Sequence, residues 1–160
     1  MRLFRLIGLL VVLAACGPNT DATVDDPQQE AAVRELIDRY YLDFNNRDWE
    51  AVADHFWRDA EITTVWREPG ENSDRVVHTD IGEFFATAPR ENPFGETFQT
   101  WTTRANVSVY QDLAQAWVWY GASLDNAGNV LEWEGVDAFT LLRQKNVWKI
   151  AALMFTSDDH

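Results

Sequence analysis

Cysteine is the scarcest informative residue in this chain, with Cys16 the only one. A single thiol excludes an internal disulfide and any zinc site built from thiolates. Histidine is nearly as rare: His55, His78 and His160 are scattered along the sequence. His78 stands close to Asp80, but two ligands do not make a site, so no metal and no cofactor is expected. Basic residues are outnumbered, 13 Lys and Arg against 26 Asp and Glu, which leaves a net charge of −13. That excess repels phosphate backbones and argues against nucleic acid as a partner. No apolar run reaches the ~20 residues that a membrane-spanning helix needs. No internal repeat and no second domain are visible, and the length suits one domain with a substantial core.

The first sixteen residues are of a different kind: MRLFRLIGLLVVLAAC. Arg2 and Arg5 precede a short apolar stretch, the pattern of a cleaved export signal. Its end, Leu13-Ala14-Ala15-Cys16, resembles a bacterial lipobox. The resemblance implies a signal peptide over 1–15, cleavage before Cys16 and lipidation of that cysteine. A plain secretory signal with an incidental Cys is the alternative. Several acyl chains on one cysteine anchor a protein firmly, at ~0.8 kcal/mol for each buried CH₂. Gly17 rather than Asp follows, which by the same resemblance implies the outer membrane, facing the periplasm, in a Gram-negative cell. Residues 16–27 are then the lipidated cysteine and a small, polar, acidic tether. Without Arg2 and Arg5, 11 basic residues face the same 26 acids, a balance of −15.

The remaining 28–157 read as helices followed by strands. Asp26-Pro27-Gln28-Gln29 is a helix start with a capping box. Val33, Leu36, Ile37, Tyr40, Tyr41 and Phe44 follow at helical spacing. Asn45-Asn46-Arg47 breaks the pattern, and Asp48 caps a second, short helix through Phe56. Alternation from Glu61 to Trp66 predicts a strand, Val76 and Val77 a short return strand, and Asp80 with Glu83 another helix cap. Four strands are expected over 97–110, 114–124, 130–143 and 147–156. Their short polar connections require antiparallel neighbours. The last two strands, from Gly135 to Thr156, are apolar on both faces and need a partner layer on each side. The class is α+β.

This order of elements resembles the nuclear transport factor 2-like superfamily, SnoaL-like branch. The residues that carry it are Arg39-Tyr40, Asn45-Asn46-Arg47-Asp48, Phe56, Asp59-Ala60-Glu61-Ile62, Gly135-Val136-Asp137 and Trp148-Lys149-Ile150. The resemblance implies a cone: a curved antiparallel sheet wrapped around the N-terminal helices, with a pocket at its open end. The fold hosts isomerases, dehydratases, hydrolases and non-catalytic modules, so it does not give the function. Ketosteroid isomerases in this group pair a helix tyrosine and a strand aspartate with a second aspartate as base. Tyr40 falls on their tyrosine, but Thr64 and Phe139 fall near the two acids, and a threonine hydroxyl is no base at neutral pH.

By the same analogy Tyr40, Thr64, Trp66, Trp101, Trp119, Phe139 and Phe155 line the cone, and alternation adds Trp117, Asp137, Leu141, Ala151 and Leu153 to that face. Rings in such numbers suit a flat apolar ligand, or simply fill the core. Asp137 is either a buried acid of raised pKa facing Tyr40 or a rim residue bonded to backbone or Arg104. The other face, expected to hold Val118, Tyr120, Ala122, Val136, Ala138, Trp148, Ile150, Ala152 and Met154, is too apolar for water and implies a homodimer. The leading expectation is an envelope lipoprotein whose pocket binds a small apolar or aromatic molecule without turnover. The alternatives are an enzyme using Tyr40 and Asp137, and a structural module with a solid aromatic core.

Overall fold

The computed structural model describes residues 26–66, 73–91, 97–126 and 128–157. The expected signal peptide, Cys16 and nearly all of the tether lie outside the described residues. Helix α1 runs over Pro27–Asn46, α2 over Trp49–Asp54 and α3 over Ile81–Glu91. The strands are β1 Phe56–Trp66, β2 Arg75–Asp80, β3 Gln99–Tyr110, β4 Leu113–Asn126, β5 Asn129–Gln144 and β6 Val147–Ser157. They form one curved six-stranded sheet in the order β2-β1-β6-β5-β4-β3.

The helices begin where local chemistry dictates. Asp26 accepts hydrogen bonds from the backbone N–H groups of Gln28 and Gln29, and Pro27 fills the first helical position. The reciprocal arm of the expected capping box is not made: the Gln29 side chain accepts from Trp148 Nε1 at 2.9 Å instead. That contact ties the helix start to β6. Asp48 and Asp80 cap α2 and α3 in the same way. At the far end of α1, Arg47 takes a left-handed conformation with φ 59° and closes the helix through bonds to Asp43 and Phe44. Two elements differ from expectation. Phe56 opens β1 rather than ending α2, and the sheet is mixed, because β1 lies parallel to β6. Short connections govern only neighbours in sequence; β1 and β6 meet from opposite ends of the domain, where the chain between them is long enough for a parallel return.

One face of α1 carries Val33, Leu36, Ile37, Tyr40 and Tyr41 into the sheet. They meet Val118, Phe139, Leu141, Ile150 and Leu153, all buried. At ~1.5–3 kcal/mol for each large apolar side chain removed from water, this face is what keeps α1 docked. The polar edge of α1 does a second job. Asn45 donates to the Thr100 carbonyl at 2.8 Å and accepts from the Thr100 N–H at 3.0 Å, as a neighbouring strand would. Arg34 and Arg47 donate to the carbonyls of Ala105 and Phe98. Edge strand β3 is thereby capped along its open side by side chains of α1 and its cap.

Candidate functional site

Alternation along a strand decides which side chains reach the helix, and register shifts in the sheet reset it. On β5, Gly135, Asp137, Phe139 and Leu141 are buried and face α1. Their partners on β4 are Tyr120, Val118, Ala116 and Ala114. The inward residues of β4 are therefore the even-numbered ones, and Trp117 and Trp119 point outward. This corrects the expected lining at both residues: Trp117 is exposed on the outer face, and Trp119 lies on that face too, where the Arg104 guanidinium stacks 3.5 Å from its ring centroid. A strand reading AWVWYGA is apolar on both sides, so its parity leaves no trace in the sequence, and a slip of one residue exchanges the faces.

Trp101 is a second correction. It pairs with Gly121 and lies outward across it, so close that a Cβ at position 121 would sit 2.6 Å from the indole. On β6 the pairing passes from Thr140–Ala152 to Leu141–Ile150, leaving Ala151 as an extra residue. That bulge lets Trp148 and Ile150 face inward on one side of it and Leu153 and Phe155 on the other. Trp148 and Ile150 thus belong to the core, and so do Val118, Tyr120 and Ala122, all expected on the opposite face. Thr64 faces inward, half-buried, and its hydroxyl donates to the Phe155 carbonyl at 3.0 Å. The side chain of Trp66 lies outside the described residues.

The inner face brings Tyr40, Asp137, Phe139 and Phe155 together with a residue the sequence reading passed over. Tyr41, not Tyr40, reaches the acid: its hydroxyl donates to Asp137 Oδ2 at 2.5 Å across 96 residues of sequence. Both tyrosines lie on the apolar stripe of α1, so periodicity could not choose between them. Asp137 is only 7% exposed, and Arg104, the cation expected as its alternative partner, stacks on the outer face. Burial pushes the Asp137 carboxyl up to about 7, against the pull of the Tyr41 hydrogen bond. Burial also raises the Tyr41 phenol far above its ordinary range, reinforced by the Asp137 charge. The Tyr40 phenol is raised by burial and then by the same charge.

Around these groups the packing is aromatic. The Tyr40 ring meets Tyr41, Phe56 and Phe139 edge to face at centroid distances of 5.2, 5.8 and 5.6 Å. The Tyr40 hydroxyl makes no hydrogen bond among the described residues. Two cavities lined by described residues, of about 270 and 280 Å³, involve the outer sheet face, and neither of these is lined by Tyr40, Tyr41 or Asp137.

A further polar pair was not foreseen: His55 Nε2 lies 2.7 Å from Asp43 Oδ2, half-buried between α1 and the end of α2. The two residues sit on separate elements, and neither position carries a signal of the other. His78 bonds Thr63 at 2.9 Å, while the Asp80 carboxylate caps α3. Among the described residues no three His, Cys, Asp or Glu side chains cluster as a metal site would require.

No protein-family model matches the chain, and no curated protein matches it. Solved structures do. An NTF2-like protein of unknown function from Pseudomonas putida KT2440 superposes with a TM-score of 0.66 at 14% identity, over 82% of this chain and 87% of that one. An NTF2-like protein with a cystatin-like fold from Novosphingobium aromaticivorans gives 0.65 at 19% identity, over 82% and 84%. A hexachlorocyclohexane dehydrochlorinase, LinA-type3 from Novosphingobium barchaimii LL02, gives 0.65 at 16%, over 82% and 87%. The fold is the NTF2-like, cystatin-like fold. At these identities the likeness is one of architecture, and it spans proteins with and without a known reaction.

Proposed function

We propose that the cone binds a small, mostly apolar molecule carrying one carbonyl or hydroxyl oxygen, held by Tyr41, Asp137 and Tyr40. The observation that carries this reading is the buried Tyr41–Asp137 pair at 2.5 Å, lying beside a Tyr40 hydroxyl that has no hydrogen-bond partner among the described residues. A phenol hydroxyl not committed to a bond within the fold is available to a ligand. A ligand oxygen can use it: it accepts from Tyr40 or from the protonated acid while Phe139 and Phe155 cover its apolar body. Isothermal calorimetry with a panel of cyclic ketones and phenols tests the reading. Tyr41→Phe and Asp137→Asn are expected to weaken binding by about 1–3 kcal/mol, the range for a buried hydrogen bond. If no member of the panel binds and both variants lose only stability, the pair merely pins α1 to the sheet. In that case the chain is the structural module.

An acid–base enzyme is the second reading, and the Asp137 pKa of about 7 favours it, because a proton donor works best when poised near the operating pH. The two readings separate on turnover. A bound ketone whose α-hydrogens exchange with deuterated water in a Tyr41- and Asp137-dependent way marks an enzyme, and a ligand recovered unexchanged marks a binder.

The Leu13–Cys16 motif supports an envelope lipoprotein. Cys16→Ser is expected to abolish lipid labelling and to release the chain from membranes. Membrane partitioning unchanged by that substitution would overturn the anchor.

A further inference from the structure

The outer face of the sheet carries groups that the Tyr41–Asp137 pair, on the inner face, leaves unused. The register there sets Trp117, Ala138 and Met154 side by side on β4, β5 and β6. A small residue between two large ones makes a trough. Trp117 and Met154, 53% and 50% exposed, are its walls, and Ala138 is its floor. Val136 lines both this 280 Å³ cavity and the 270 Å³ one, so the two adjoin along β5. Joined, they have the size of a small-molecule site.

Two opposite charges line the 270 Å³ end, Arg104 on β3 and Glu134 on β5. Strand β4 lies between them, and they form no ion pair with each other. Among the described residues neither side chain has a hydrogen bond or an ion pair. Arg104 is nonetheless held in place, stacked 3.5 Å from the Trp119 ring centroid. Stacking uses the flat face of a guanidinium and leaves the N–H donors in its plane free for a carboxylate. The Glu134 carboxylate only accepts, so it suits an ammonium.

Charge selects the occupant. An anion alone would gain from Arg104 but meet Glu134 and a chain of net charge −13. A cation alone would gain from Glu134 but meet Arg104. A ligand carrying both charges at one end satisfies both groups, and an apolar arm beside them fills the trough between Trp117 and Met154. We infer that this trough binds a free α-amino acid with an apolar or aromatic side chain. Its carboxylate lies on Arg104, its ammonium on Glu134, and its side chain over Val136 and Ala138.

Calorimetry on the full-length chain carrying Cys16→Ser tests this with three probes: L-phenylalanine, phenethylamine, which lacks the carboxylate, and 3-phenylpropanoate, which lacks the ammonium. Phenylalanine is expected to bind, and each analogue to bind about 10-fold or more weakly, as the loss of one charge-assisted contact implies. Arg104→Gln is expected to bring phenylalanine down to the level of phenethylamine, and Glu134→Gln down to that of 3-phenylpropanoate. Trp117→Ala is expected to weaken all the probes that bind. These three side chains are exposed, so the circular dichroism of the variants is expected to match the parent. Leu42→Ala, at an exposed leucine on α1, is expected to change nothing. No binding of phenylalanine overturns the inference. So do analogues that bind as tightly as the amino acid, which would leave only an apolar slot. Selectivity untouched by both Arg104→Gln and Glu134→Gln also overturns it and moves the binding away from this face, to the cone. A dimer that Trp117→Glu dissociates and phenylalanine does not would give the trough to a second copy instead.

Discussion

Asparagine at position 137 isolates the proton that the buried acid holds. The raised pKa means that the folded chain binds this proton more tightly than the unfolded chain does. Its stabilising effect is therefore fully present below the unfolded carboxyl value near 4 and is lost as pH rises to about 7. Three pH units at 1.36 kcal/mol each come to about 4 kcal/mol, a large share of a typical folding free energy. Asp137 is nearly enclosed, so solvent screening does little to reduce the figure. Asparagine has the same shape, and its amide oxygen can still accept from Tyr41, but it has no proton to lose in this range. Urea unfolding of both chains at pH 4, 5, 6, 7 and 8 gives a difference in which the other titrating groups cancel. Wild type is expected to fall relative to Asp137→Asn by about 4 kcal/mol between pH 4 and 7, roughly 2 M in midpoint at a usual urea dependence, and then to level off. A difference that stays flat, or one in which wild type gains as pH rises, would refute the placement of a neutral acid in the core.

Three other substitutions probe the packing. Gly135→Ala puts a Cβ 2.4 Å from both the Thr156 carbonyl and the Tyr120 ring; because one of these is backbone of β6, a loss of about 1–3 kcal/mol is expected in thermal melts. Asn45→Ala leaves both backbone groups of Thr100 without their side-chain partner and is expected to lose about 1–3 kcal/mol by chemical denaturation. Phe139→Ala empties the centre of the aromatic cluster and is expected to lose about 3–5 kcal/mol, with the melting transition moving down accordingly.

What the sequence determined by itself was local. Asp26, Asp48 and Asp80 marked the helix starts, because a carboxylate that can satisfy free N–H groups declares itself by position. The four long strands were legible within a few residues from their alternation and from the polar breaks between them. Asp137 and Phe139 were expected inward through the family resemblance, which put Phe139 in the cone and, by alternation, Asp137 on the same face. Tertiary structure decided everything that depended on parity or distance. A strand apolar on both faces has no sequence signature of which face is inside, so Trp117 and Trp119 could be placed only by the pairing of β4 with β5. The Ala151 bulge adds one residue without a marker, and with it Trp148 and Ile150 turn into the core. Tyr40 and Tyr41 sit on one helical stripe, and only the docking angle of α1 on the sheet gives Asp137 to Tyr41. Periodicity and capping are set by the nearest neighbours in sequence. Parity and the choice of hydrogen-bond partner are set by strands and helices far apart in the chain, and those relations exist only once the domain has closed.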